Sequence, residues 1–167
     1  MKVTIYGSRW FRAKNRMTEV WDEEKAKLAH LEKRPYAVLI EGGTVFRCFL
    51  EIGSDYVGIG FLDEHMREFL SYQFQEIEAG RLFLTMATHR EYVGDCDQLK
   101  EGTTYYFRKD GGLTMETEDF STSVISSRET RTNVDGNWEA YPEFGSYESI
   151  SRVDRGVAFS HGKRKRD

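Results

Sequence analysis

From residue 36 onward the chain alternates apolar and polar side chains with a period of two, and turns bearing glycine or asparagine keep interrupting the alternation. A period of two sends successive side chains to opposite faces of an extended strand, so most of this sequence is committed to strands joined by hairpins. Residues 36–40 and 44–52 flank Glu41-Gly42-Gly43 and read as a first hairpin, with residues 56–61 as the next strand. Residues 103–108 and 113–120 flank Lys109-Asp110-Gly111-Gly112, the clearest turn in the chain, because Asp-Gly and Gly-Gly supply the positive backbone angles that tight turns require. Residues 69–77 and 81–88 alternate across Ala79-Gly80. A short helix over residues 62–69, with Asp63 and Glu64 at its start, also fits, which leaves residues 62–77 open between helix and strand.

One segment departs from this period. Thr18 has the character of a helix start, followed by Glu19, Asp22, Glu23 and Glu24, with Lys25, Lys27, Lys33 and Arg34 toward the other end, as the helix dipole prefers. Trp21, Leu28 and Leu31 recur at helical spacing, so residues 18–33 read as one amphipathic helix ended by Pro35. Before it, Val3, Ile5 and Trp10-Phe11 suggest a short strand, and Arg12, Lys14, Asn15 and Arg16 a basic loop. Residues 121–131, rich in Ser, Thr and charge, read as an exposed strand or loop, and Val134-Asp135-Gly136-Asn137 as a further turn. No fixed-period repeat or low-complexity block is present. The expected fold class is α+β, a mainly antiparallel sheet with one or two covering helices.

A chain of 167 residues has room for one core of ordinary size. The expected organisation is a single globular domain over residues 1–151 and a basic C-terminal tail over residues 152–167. The tail holds six basic residues against Asp154 and Asp167, which leaves 18 basic and 26 acidic residues in the rest, a body of charge −8. Such a body argues against nucleic acid as the partner, since phosphate binding needs clustered Lys and Arg, and suits a basic protein. The run Lys163-Arg164-Lys165-Arg166 is most simply a solvated tail. Neither an export signal nor an apolar run of the roughly 20 residues needed to cross a bilayer is visible, so the expectation is a cytoplasmic protein with no membrane association. Cys48 lies in an apolar strand pattern and Cys96 in an acidic turn, without metal spacing, and both are expected as free thiols.

The common phosphate-loop, dinucleotide, zinc-protease and serine-hydrolase motifs are absent, and no cofactor or metal is expected. Gly58-Ile59-Gly60 is a fragment of a dinucleotide fingerprint inside a strand pattern, and reads as a close-packed strand. His65, beside Asp63 and Glu64, is the best acid/base or metal-ligand candidate among the four histidines, against a helix-start reading in which those acids serve the dipole. Glu116 and Glu118 fall on one face at period two and form a solvated strand face, a carboxylate pair for metal or general acid/base catalysis, or part of an acidic docking surface. A small-molecule or nucleotide-binding enzyme built on His65, Glu116 and Glu118, or an adaptor module, is therefore the alternative to a purely protein-binding role.

Residues 137–150 are the most distinctive stretch. Trp138, Tyr141, Phe144 and Tyr147 interleave with Glu139, Glu143 and Glu148 around Pro142, a mixture of rigid contact area and negative charge. These aromatics are either core residues of a half-buried strand and turn or anchors for a partner. With the small, acidic, sheet-rich body and the missing catalytic motifs, the segment from Trp138 to Glu148 resembles the late-chain motif of bacterial immunity proteins of contact-dependent inhibition and other polymorphic toxin systems. The resemblance covers about ten positions. It implies a non-enzymatic protein that binds a cognate toxin domain and occludes it. The expected contact residues are Trp138, Glu139, Tyr141, Glu143, Phe144, Tyr147 and Glu148, joined by Glu116 and Glu118.

Overall fold

The computed structural model describes residues 1–42 and 47–155. Residues 43–46 of the expected first hairpin, His161 and the run Lys163 to Arg166 lie outside the described residues. Strands β1 (Val3–Phe11) and β2 (Arg16–Trp21) are followed by helix α1 (Glu23–Leu31). Then come β3 (Tyr36–Glu41), β4 (Cys48–Ile52), β5 (Tyr56–Leu62), β6 (Glu68–Glu78), β7 (Arg81–Tyr92), β8 (Leu99–Phe107), β9 (Gly112–Asp119), β10 (Val124–Arg131) and β11 (Trp138–Ala140). All belong to one 11-stranded sheet in the order β10-β9-β8-β7-β6-β5-β4-β3-β1-β2, with β11 paired to β7. Every pairing is antiparallel.

This corrects the expected α+β class: the fold is a sheet-dominated open meander with a single α-helix among the described residues. The expected helix over residues 18–33 starts later than read, at Glu23, and the open stretch over residues 62–69 is not helical. Residues 16–21 pair with β1 through Tyr6–Trp21, Arg9–Thr18 and Trp10–Met17, a use that suits β-branched Thr18 and Val20. The helix cap is instead Asp22, whose side chain accepts the Lys25 N–H at 2.8 Å; an aspartate is the stronger cap, and Glu23 and Glu24 then occupy the first turn. Residues 63–67 form the β5–β6 turn, where Asp63 accepts the backbone N–H groups of His65 and Arg67 at 2.9 Å each and pairs with the Arg67 guanidinium. Burial alone would raise the Asp63 carboxyl, but these bonds outweigh it and hold the group below its ordinary value. Residues 68–78 are strand throughout.

Alternation divides the sheet into two faces. Val38, Leu50, Ile59, Tyr72, Leu84 and Tyr105 lie on the main core face, which Ala26 and Ala29 of α1 cover at one end. The other face carries a smaller cluster of Trp10, Leu39, Phe49 and Leu62, with Trp10 stacked on Phe49 at 5.1 Å. Gly60 makes room for that ring, since a Cβ there would stand 2.2 Å from Phe49. Glu19 has a left-handed φ of 47° in the middle of β2. Past it the sidedness of the hairpin reverses, so Tyr6 and Trp21 meet the main core while Trp10 and Met17 meet the smaller one.

The two cysteines are free, Cys48 buried and Cys96 exposed. Burial pushes the Cys48 thiol up to about 12. Native titration with an aromatic disulfide reagent is therefore expected to show fast reaction at Cys96 and reaction at Cys48 only on unfolding; equal rates at the two would contradict the placement of β4.

Candidate functional site

The segment singled out by its aromatics and glutamates closes the main core face. β8 pairs with β7 only from Met86 onward, and β11 takes the same side of β7 at Arg81–Phe83. Trp138 packs edge-on against Phe83 at 5.0 Å under the Arg81 guanidinium at 4.2 Å. Tyr141 donates its hydroxyl to the Gly53 carbonyl at 2.6 Å, and Phe144 stacks on Tyr6 at 5.2 Å. Tyr147 is 1% exposed, its hydroxyl 3.2 Å from that of Tyr36, which in turn meets His30 Nδ1 at 2.9 Å. Trp138, Tyr141 and Phe144 are half-buried against the same core.

The acidic residues of the segment separate into different environments. Glu139 is 9% exposed and receives Arg155 Nη1 at 2.8 Å, with Arg152 at 3.9 Å. Arg155, its side chain fully buried, also donates to the carbonyls of Ser149 and Ile150 at 3.1 and 2.7 Å and lies over the Phe74 ring at 4.6 Å. Burial pulls its guanidinium below the ordinary arginine range, against the opposing pull of Glu139. Gly136 permits the strap to close, because a Cβ there would lie 2.1 Å from the Arg155 carbonyl oxygen. Glu143 and Glu148 are exposed, and Glu148 pairs with Lys2.

The opposite face holds several recesses; another, of about 440 Å³, lies at the turns around Ser54 and Glu78. Register runs a row of directly paired residues across six strands: Gly60, Ser71, Thr88, Thr104, Glu116 and Ser127. The neighbouring row is Arg90, Gly102, Glu118 and Ile125. Hollows lie along this part of the molecule, of about 390 Å³ beside Arg12, Glu68 and Tyr92, about 400 Å³ beside Glu51, Ser71 and Gln73, and about 160 Å³ beside Glu116, Glu118, Phe120 and Ile125, the last lined also by small Gly102 and Thr104 of these rows. Glu68 bridges two cations, receiving Arg12 Nε at 3.2 Å and Arg90 Nη1 at 3.4 Å; Arg12 also reaches Glu51 at 3.1 Å and Arg90 reaches Ser71 at 3.1 Å. Burial would lower the Arg12 guanidinium, but Glu51 and Glu68 raise it overall. The charges of the larger hollows thus neutralise one another.

Compared with known proteins, the chain matches no family model, no curated protein and no solved structure. Its chemistry must be taken from its own residues. His65 sits in the β5–β6 turn, 3.4 Å from Asp95 and 3.6 Å from Glu64. β6 and β9 stand three strand spacings apart, about 14 Å, so the fold does not bring His65 to Glu116 and Glu118. No group of three or more His, Cys, Asp or Glu among the described residues is arranged to hold a metal ion. Gly58-Ile59-Gly60 lies within β5, paired to β4 and β6. Glu116 and Glu118 do share a face, and among the described residues neither side chain has an ion pair or a hydrogen bond. Beside them Phe120 and Ile125 are 41% and 67% exposed, and Val124, on the other face of β10, is 58% exposed. These three residues were not among the sequence candidates, although their apolar character in a polar stretch was the available signal.

Two measurements check this arrangement. Arg155→Ala leaves Glu139 buried without its closest cation and is expected to cost about 3–5 kcal/mol in urea unfolding, with partial recovery in the Glu139→Gln, Arg155→Met double variant. Burial holds His30 below its ordinary 6.5, so the unfolded chain binds the proton first as pH falls. Stability conferred by neutral His30 is present above pH 6.5 and declines as pH drops from there toward the folded value. His30→Gln should flatten that limb of the unfolding midpoint against pH; an unchanged slope would place the titration elsewhere.

Proposed function

We propose that this chain is a non-enzymatic immunity protein of a contact-dependent inhibition or other polymorphic toxin system, which acts in the cytoplasm by binding and occluding a cognate toxin domain. The observation that supports it is the β9–β10 end of the sheet, where the unpaired carboxylates of Glu116 and Glu118 stand on one face with exposed Phe120 and Ile125. An exposed apolar patch next to uncompensated negative charge suits a basic protein surface: the charge steers association and the apolar residues slow release. Occlusion requires no turnover, cofactor or metal. Much of the aromatic segment 138–147 serves the core, so the contact area moves from it to the β9–β10 end, with Glu143 still available on the exposed side. No helix among the described residues is long and apolar enough to cross a membrane.

Growth rescue tests the proposal. A toxin domain taken from a neighbouring gene is to be expressed in a sensitive host with and without this chain. Rescue is expected from the native chain, and Ile125→Lys with Glu118→Lys should weaken binding by about 2 kcal/mol or more, with the glutamate change acting mainly on association at low salt. Absence of rescue by the folded native chain would retire the immunity role.

A further inference from the structure

The same end of the sheet also presents backbone. In the β9–β10 ladder the Thr132 N–H donates to the Gly111 carbonyl at 2.9 Å, and the register continues without a shift from Arg131–Gly112 to Val124–Asp119. Antiparallel bonding alternates, so Val124, Ser126, Arg128 and Thr130 turn their N–H and C=O groups to β9. Those of Ile125, Ser127 and Glu129 point away from the sheet. The far side of β9 agrees, since the Phe120 N–H donates to Lys100 of the β8 side at 3.0 Å. β10 is an eight-residue edge, exposed along its whole length and free of proline and of left-handed residues. Such an edge is a template for a further strand.

Side-chain charge on this edge selects the occupant. Ile125, Ser127 and Glu129 share a face with Glu118, Glu116 and Thr114, their direct partners on β9. On β9 and β10 that face carries three carboxylates, and its one cation, Arg131, bonds the Asp110 carbonyl. A strand laid along β10 places alternate side chains about 5 Å from Glu129 and about 10 Å from Glu116 and Glu118, within the reach of screened charge. A second copy added by a two-fold axis normal to the sheet keeps faces aligned, and sets the three carboxylates of one molecule on the same face as the three of the other.

We propose that β10 is completed by an extended basic segment of a partner protein, which adds as a further strand with Lys or Arg at alternate positions over Glu116, Glu118 and Glu129. This rests on the occlusion proposed above and specifies its mode. The probe is a short capped peptide of alternating Lys and Val, compared with its Glu–Val counterpart and with a version N-methylated on alternate amides, by fluorescence anisotropy and amide exchange. The Lys–Val peptide is expected to bind and to slow exchange at Ile125, Ser127 and Glu129. Ser127→Pro removes an outward donor and no β9 bond, and should weaken binding about tenfold or more with an unchanged circular dichroism spectrum, as should N-methylation. No binding of the Lys–Val peptide, or no protection at those amides, overturns the proposal. If Ser127→Pro is misfolded, the N-methylated peptide decides, and its unchanged affinity is equally fatal. Self-association of the chain that Ser127→Pro abolishes would name a second copy as the occupant and overturn the basic partner. Growth rescue that survives Ser127→Pro, with β10 unprotected, rejects the strand mode and leaves occlusion standing; peptide binding at β10 without rescue by the native chain does the reverse.

Discussion

The buried pair of Arg155 and Glu139 holds the fold's main face shut. An 11-stranded sheet has far more apolar surface than the nine-residue helix α1 can cover, and residues 132–155, irregular apart from short β11 and one 3₁₀ turn, add to the cover. Irregular chain has few ladder bonds of its own, so it needs fixed anchor points. Tyr141 on the Gly53 carbonyl, Tyr147 on Tyr36 and Arg155 on Glu139 are those anchors. The guanidinium does most, because it ties β11 to the carbonyls of Ser149 and Ile150 while its flat face rests on Phe74. Arginine suits this place better than lysine, with a planar fork that reaches several acceptors at once.

Legibility in the sequence followed the range of the forces involved. The hairpin at Lys109-Asp110-Gly111-Gly112 was readable because its turn is local: Gly111 has φ 89° and Asp110 accepts the Gly112 N–H. The common face of Glu116 and Glu118 was readable from the strand period alone. The helix read over residues 18–33 was right in kind but began too early, because Thr18 competes with Asp22 for its start, and pairing with β1, a tertiary contact, decides between them. The row from Gly60 to Ser127 depends on registers accumulated over six strands, and no local pattern reports that sum. The aromatic segment carried a real signal of density, yet whether rings face a partner or a core depends on what lies beneath them, and here the open side of β7 does.

The outer face is organised by a different rule. Near β1, β5 and β6 its ions are matched, with Glu68 between Arg12 and Arg90, so a ligand entering there must replace bonds already made. Toward β9 and β10 the matching ends: Gly102 separates Arg90 from Glu118 by two strand spacings, about 10 Å. The face thus grades from neutralised to negative along the sheet, and the negative end is also the apolar one.

The left-handed Glu19 in β2 bears on what the molecule does in a crowded solution. An open sheet has two terminal strands, and if one matched the other, copies would join head to tail without closing and grow into fibres. β2 is six residues long and its course is interrupted at Glu19, so it offers no straight counterpart to the eight residues of β10. The asymmetry between the two ends lets this chain keep one long edge open without becoming its own polymerisation template.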